Sequence, residues 1–521
     1  MTYWARTPEP REQAVLFPQR LDDALPQDHV VRMLDEILGQ VNWGEWEALY
    51  NGRIGQPPIH PRVLAGVLLY GMWAKLRSSR SLEEALRVRF DFRWLAEGRM
   101  IDHTTLSEFR RSHSMQLKEL FVQICQLARE LGLLKLEELG YDGTRVRANN
   151  RRSGTRTPDE LRQERAELQK RFDEAQRQAD AEDSQDEERF GLRNPHDLPT
   201  ELRDAERRRE KLDAALKSLA EAAEQGGAVP KRVPLTDPDA RVMPNKDGGH
   251  APNYTPTATV DIDSGLVVTA DVLNEVNEDG EMIAACEEVQ EQFALPAPPS
   301  MAADGLMATG ANIAGCEEHR IMFYSPVPLP DPATNPALRD DPTQPVAETD
   351  RERLPTHPLK VGGKACRQLD KTAFVYDDAR DCYWCPMGQP LHYANTTSEA
   401  RGRGRRVRRR YHAAAKSCSA CPLRERCVMG KCKSREINRE QYDAHRERHA
   451  RHMARAESQA KYGRRRHAGE RPFATIKHQF GLRQFLLRGL KAVADEWRWA
   501  VVAFNLHRMI GLLHSRAGPS P

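Results

Sequence analysis

Cysteine is scarce in this chain, with ten in 521 residues, and six of those fall between 382 and 432. Such a distribution excludes an extracellular disulfide framework and suggests a reducing, cytoplasmic setting. Long apolar runs are also missing. The most apolar stretch near the end, Ala500 to Leu513, is interrupted by Asn505, His507 and Arg508. It is too short to span a bilayer and reads as a buried helix, so no membrane partner is expected. Met1 to Pro8 contain no apolar signal core, which argues against secretion by that route. Nor is there a strong excess of one charge, since the formal net charge is only +3. What remains is 39% hydrophobic and 30% charged, the balance of a soluble protein with long polar insertions and two to four domains.

The near-neutral total hides an uneven distribution. Residues 401–480 hold 24 Lys and Arg against 7 Asp and Glu, a local charge of +17 that leaves −14 for the remainder. Such a tract suits a polyanion gripped through its phosphates, with salt-sensitive affinity. Within it, Glu470 stands alone in Arg466-His467-Ala468-Gly469-Glu470-Arg471-Pro472. An acid facing phosphate is repelled unless it holds a metal ion, and the plainer alternative is a surface ion pair. At 100° per residue, Arg466, Glu470 and Lys477 share a helical face within about 40°. Pro472 is expected to kink or restart that helix.

Residues 1–135 read as a helical N-terminal domain. Pro61 suits a first turn, with Leu64, Val67, Leu68 and Gly71 at helical spacing. Ser81 with Glu84, and Thr105 with Glu108, fit capping boxes that mark two further helix starts. Arg110 and Arg111 lie early in the second of these helices and are candidate DNA contacts, although an ordinary helical bundle gives the same pattern. Residues 136–157 read as strand, Asp142-Gly143 turn and strand, the first part of an α/β core. A charged helical-hairpin insertion follows at 158–228, broken near Asn194-Pro195. The core resumes over 229–325, with a hairpin turning at Ser264-Gly265, a helix at about 279–292, a short strand ending at Asp304, a helix through Cys316 and a strand at 320–324. Nine prolines between 326 and 358 make 326–374 a loop and linker. A small Cys-rich basic module at 375–440 and C-terminal helices at 441–521 complete the chain.

Cys382-x2-Cys385 and Cys418-x2-Cys421 are 32 residues apart and can supply four thiolates to a tetrahedral Zn2+, with Cys427 or Cys432 as substitutes. An iron–sulfur cluster uses similar spacings, and unliganded cysteines remain the third alternative. Between the pairs, Arg401, Arg403, Arg405, Arg406, Arg408, Arg409 and Arg410 read as a phosphate-tracking arm on a loop kept flexible by Gly402 and Gly404. A basic loop without a function would look the same.

Asp142 and Asp304 each follow strand-like residues and precede Gly, which places both at strand ends. Three acids gathered at a sheet edge repel one another, and bridging divalent cations remove that cost. Each Asp-Gly is also a common turn dipeptide. Here the sequence resembles the DDE-class transposases of bacterial insertion sequences, those with an InsH-like N-terminal domain and a cysteine-bearing insertion. The resemblance is carried by His60-Pro61-Arg62, Leu68-Leu69-Tyr70-Gly71, Arg77-Ser78-Ser79-Arg80, Phe92-Arg93-Trp94-Leu95 and Asp102-His103-Thr104-Thr105 through Phe109-Arg110-Arg111. Tyr141-Asp142-Gly143-Thr144, Ala303-Asp304-Gly305 and Arg466-x3-Glu470-x6-Lys477 carry it further, as do Leu487-Arg488-Gly489, Glu496-Trp497 and Asn505-Leu506-x-Arg508.

The resemblance implies a ribonuclease-H-like mixed-sheet core in which Asp142, Asp304 and Glu470 hold two Mg2+ ions, or Mn2+ in their place. It implies that Arg466 and Lys477 neutralise phosphate nearby, and that a homodimer at the nucleoid binds double-stranded DNA, both terminal inverted repeats and target. Two other readings stay open: a domesticated DNA-binding protein without activity, and a nuclease of the same fold without strand transfer.

Overall fold

The computed structural model describes residues 20–51, 57–150, 154–190, 200–224, 230–245, 248–275, 278, 280–361, 364–401 and 404–517. The chain opens with helices α1 (Val30–Gly39), α2 (Gly44–Ala48), α3 (Pro61–Trp73), α4 (Ser79–Val88), α5 (Phe90–Leu95), α6 (His103–Ser112) and α7 (Ser114–Glu130). Pro61 occupies the first turn of α3, where its missing N–H costs nothing, and that helix is buried almost throughout. Two helix starts lie one turn earlier than the capping boxes suggest. Ser78, not Ser81, caps α4 by accepting from the Ser81 N–H at 3.1 Å. Asp102, not Thr105, caps α6, accepting from the Thr104 and Thr105 N–H groups at 2.8 and 2.9 Å. A carboxylate at that position also meets the positive end of the helix dipole.

Next come β1 (Glu138–Gly143), β2 (Val146–Arg147), β3 (Thr155–Arg156), α8 (Pro158–Phe190), α9 (Thr200–Glu224), β4 (Val233–Pro234), β5 (Arg241–Pro244), β6 (His250–Asp261), β7 (Val267–Leu273), α10 (Met282–Gln292), β8 (Ser300–Ala302), α11 (Gly310–Glu318) and β9 (Phe323–Tyr324). The main sheet runs β7-β6-β1-β8-β9, with β2 and β5 also pairing to β6. β6 is antiparallel to both β7 and β1, whereas β1, β8 and β9 are parallel. Asp142-Gly143 is therefore not the hairpin turn that its dipeptide suggests. β1 and β2 pair one after the other with the same long strand, Leu139–Gly143 against Thr257–Asp261 and Val146–Arg147 against Asn253–Tyr254. The turn at Ser264-Gly265 does join β6 to β7, with Gly265 at φ +72°. Residues 191–199, where the break at Asn194-Pro195 is expected, lie outside the described residues.

The rest of the chain comprises β10 (Thr356–Val361), β11 (Lys364–Leu369), β12 (Val375–Asp377), β13 (Cys382–Trp384), β14 (Pro390–Arg401), β15 (Gly404–Ala413), α12 (Ala415–Ser419), α13 (Arg424–Cys427), β16 (Glu436–Glu440), α14 (Asp443–Met453), α15 (Ala456–Ala474) and α16 (Leu490–Ala517). The proline-rich stretch is not only a linker. It contains the β10–β11 hairpin, and Ala337, Val346 and Leu354 are buried with Phe374, Tyr383, Leu391, Tyr411 and Ile437 in a second core. Proline fixes local geometry without preventing apolar anchors between prolines from docking.

One large core joins the N-terminal helices, the main sheet and the C-terminal helices. At its centre is α16, apolar on nearly every side, with Trp497, Trp499, Val501, Val502, Phe504 and Leu506 buried. Its polar interruption is also used. Asn505 accepts from the Val267 N–H at 2.9 Å and donates to the Val267 carbonyl at 2.7 Å, satisfying backbone at the edge strand β7. No helix among the described residues is long and apolar enough to cross a membrane.

Candidate active site

The parallel pairing of β1 with β8 sets Gly140 opposite Ala302. Two residues further along each strand direction stand Asp142, still within β1 opposite Ala258, and Asp304, just past the carboxyl end of β8. Each is steadied by local backbone. Asp142 Oδ1 accepts from the Gly143 N–H at 2.9 Å, and Asp304 Oδ1 accepts from the Leu306 N–H at 2.9 Å as it caps a 3-10 turn.

A third carboxyl joins them that sequence reasoning missed. Glu278 lies between β7 and α10, and burial, followed by the charges of Asp142 and Asp304, pushes its pKa up. Its side chain fills the space beside Gly143. A Cβ there would come within 2.8 Å of Glu278 Cδ and 2.9 Å of Oε1, so the Gly of Asp-Gly makes room for an acid rather than for a turn. The Tyr141 hydroxyl donates to the Glu278 carbonyl at 3.2 Å. Nothing in the polar segment around Glu278 marks it in the sequence.

A cation paired with Asp142 was equally unforeseen. Arg465 of α15 places a guanidinium nitrogen 3.3 Å from Asp142 Oδ2, with only 12% of its side chain exposed. Helical phase was the available signal, because Arg465, Gly469, Phe473 and Ile476 repeat at intervals of four, four and three. Glu470 lies off this stripe and is exposed. Nothing is described of the Arg466 side chain. Lys477, one stripe-mate of Glu470, reaches the link between β1 and β2: its ammonium donates to the Thr144 hydroxyl and, at 2.8 Å, to the Arg145 carbonyl. The helix does not restart at Pro472. α15 runs through it to Ala474 and continues as a π-helical turn over Thr475–Gln479, where the Phe480 N–H reaches the Thr475 carbonyl at 3.1 Å.

The structure thus sets Asp142 and Asp304 near Glu278, while Glu470 stands exposed on α15, the helix that packs against β1. Among the described residues, no group of three or more His, Cys, Asp or Glu is arranged to hold a metal ion. Burial first, and then the two aspartates, keep the proton on Glu278 to a higher pH than usual.

The same absence applies to the cysteines, so structural zinc receives no support. All ten are free thiols. Cys385, Cys418, Cys421 and Cys427 lie near enough for their charges to interact; burial first, then its neighbours, pushes Cys427 up to about 12. Cys382 does not join them, because it lies within β13 and its charged neighbours are Asp377, Arg380 and Asp381.

The arginine run is a β-ribbon rather than a flexible loop. β14 and β15 pair from Leu391↔Ala413 to Arg401↔Gly404. Arg403 lies outside the described residues, and of Arg401 only the backbone is described. Alternation places Arg406, Arg408 and Arg410 on one face, where they meet β16. Arg406 and Arg408 reach Glu440 at 2.7 and 3.2 Å, and Arg410 reaches Glu436 at 2.9 Å. On the other face Arg409 pairs with Asp381 at 2.6 Å, over the Tyr393 ring, while Arg405 stays exposed. In the N-terminal helices Arg111 is exposed but Arg110 is only 7% exposed, with a nitrogen 2.8 Å from the Arg77 carbonyl.

Comparison with known families adds a class to this geometry. Residues 384–510 match the transposase DDE domain family, and residues 19–112 match a transposase domain family of the DUF772 type. Together the matches support an insertion-sequence DDE transposase. The first match contains Glu470 but begins after both Asp142 and Asp304, whose pairing rests on the sheet register. No curated protein matches the chain.

Proposed function

We propose that this protein binds the terminal inverted repeats of its insertion sequence, as a homodimer in the assembled complex, and catalyses DNA cleavage and strand transfer. The observation that supports the reading is the β1–β8 register, which pairs Gly140 with Ala302, two residues before Asp142 and Asp304. The sheet order supports a ribonuclease-H-like core: three antiparallel strands, then two parallel to the first, with α15 packed across β1. Asp142 and Asp304, with Glu470 from α15, would hold divalent cations such as Mg2+ or Mn2+, which supply charge stabilisation for in-line displacement at a phosphodiester. Glu278 adds to the negative field at the strand ends. Arg465 offsets part of that field in the free protein, and Lys477 ties α15 to the strand end through Thr144. Arg466, Arg111 and the exposed part of the ribbon would contact DNA phosphates.

Asp142→Asn can keep the Gly143 N–H bond while removing one charge, and with it the Arg465 ion pair. It is expected to lower cleavage of the element's own ends by about 100-fold or more while leaving duplex binding nearly unchanged. The measurement is cleavage and plasmid joining of end-containing DNA in Mg2+ against a gel-shift titration. Cleavage at the wild-type rate by this variant would remove Asp142 from the chemistry. Cutting by the wild type without joining would leave a nuclease.

A further inference from the structure

A cleft of about 310 Å3 opens where the end of α6 meets the start of α16. Four cations line it: Arg110 and Arg111 from α6, Arg488 from the connecting segment, and Lys491 from the first turn of α16. Two acids also border it, and both are engaged. Asp239 accepts from the Leu490 N–H at 2.9 Å, while Asp495 accepts from the Ser114 hydroxyl at 2.7 Å and from Arg498 at 3.0 Å. The N–H groups of Lys491 and Ala492, in the first turn of a 28-residue helix, have no acceptor among the described residues.

Beneath the cleft the charge is out of balance. Arg110 is 7% exposed, and its Nε has no hydrogen-bond partner among the described residues. The one acid close enough to favour its charge is Glu496, while Arg77 and Arg111 oppose it. Glu496 is already committed, accepting from Arg77 at 2.6 Å and from the Leu486 and Leu487 N–H groups at 2.9 Å each. A buried guanidinium with an idle donor, below two exposed cations and unclaimed helix N–H groups, calls for an anion.

We propose that this cleft seats one backbone phosphate of duplex DNA, clamping the strand between the N-terminal helices and the last helix of the core. The identity of the polyanion rests on the transposase reading; the anion preference does not. Lys491 and Arg111 supply the exposed charges, Arg110 the buried donor, and the start of α16 its backbone N–H groups.

The test uses the full chain carrying Arg111→Gln with Lys491→Gln, two surface changes, beside Lys118→Gln with Lys135→Gln as a charge-matched control. Binding of a short random-sequence duplex is titrated against salt, and thermal shift is recorded with inorganic phosphate. The cleft variant should bind the duplex about fivefold more weakly at physiological salt, with a slope of log K against log salt smaller by about one. Inorganic phosphate should raise the melting temperature of the wild type and control but not of the cleft variant. Equal duplex binding by the cleft variant and the control, or phosphate stabilisation that does not depend on the cleft, would overturn the proposal. If the wild type ignores duplex DNA while phosphate still stabilises it through the cleft, the seat stands and the DNA reading falls.

Discussion

Gly143 and Glu278 show how much one side chain can decide. The glycine is tolerated in a buried strand because a carboxyl occupies the volume where a Cβ would stand. That carboxyl holds its proton above its ordinary 4.5, through burial first and the two aspartates next. The folded state therefore binds more protons than the unfolded chain as pH rises from about 4.5 through the raised folded value, and stability falls across that window. Glu278→Gln is expected to flatten this fall, so the variant gains relative to wild type as pH climbs above 4.5. Melting temperatures of both proteins across acidic to neutral pH check it; parallel curves would mean that neither burial nor the aspartates hold the Glu278 proton. None of this was legible in the sequence, where Glu278 is one acid in a polar segment. The aspartates were legible as strand-end acids, but their mutual register needed the sheet.

Elements were easier to find than their partners. The helices of the N-terminal region follow from apolar spacing, and their starts shift only because a nearer side chain takes the capping bond. Strand pairing was harder. Asp-Gly favours a turn locally, yet a twelve-residue β6 offers a longer ladder than a hairpin could, and the ladder prevails. In the ribbon, charge concealed strand character: β15 contains five arginines in six positions from 405 to 410, and only contact with β16 shows that alternate ones are balanced by Glu436 and Glu440. Fully extended, β14 would reach roughly 40 Å, enough to lie along a DNA groove. Replacing Glu436 and Glu440 by Gln should release Arg406, Arg408 and Arg410 for phosphate, tightening duplex binding and steepening its salt dependence. Gel-shift titration at several salt concentrations measures this, and an unchanged slope would place the ribbon off the DNA path.

At the scale of the molecule, the first helices and the last helix belong to one core, which the division into an N-terminal domain and a catalytic core does not anticipate. The Trp73 indole donates to the Ala503 carbonyl at 2.8 Å, and Arg77 pairs with Glu496, whose side chain is 1% exposed. Breaking one partner of such a buried pair costs about 3 kcal/mol or more. Glu496→Gln should lower the unfolding free energy by about that amount, and hydrogen exchange should show α3 and the main sheet losing protection together. Protection of α3 outlasting that of the sheet would mean that two separate folding units exist after all. The Cys-rich module, with its own core, is expected to open independently.

Because α16 fills the middle of a structure whose other walls are made from much earlier residues, the order of synthesis matters. While it is still missing, α3 and α7 present bare apolar faces to water and the outer strand beside Asn505 lacks its side-chain partner. A ribosome must therefore deliver α16 before the main core can close. Chains cut short by a premature stop would then be handed to chaperones and proteases rather than persist as half-built DNA grippers.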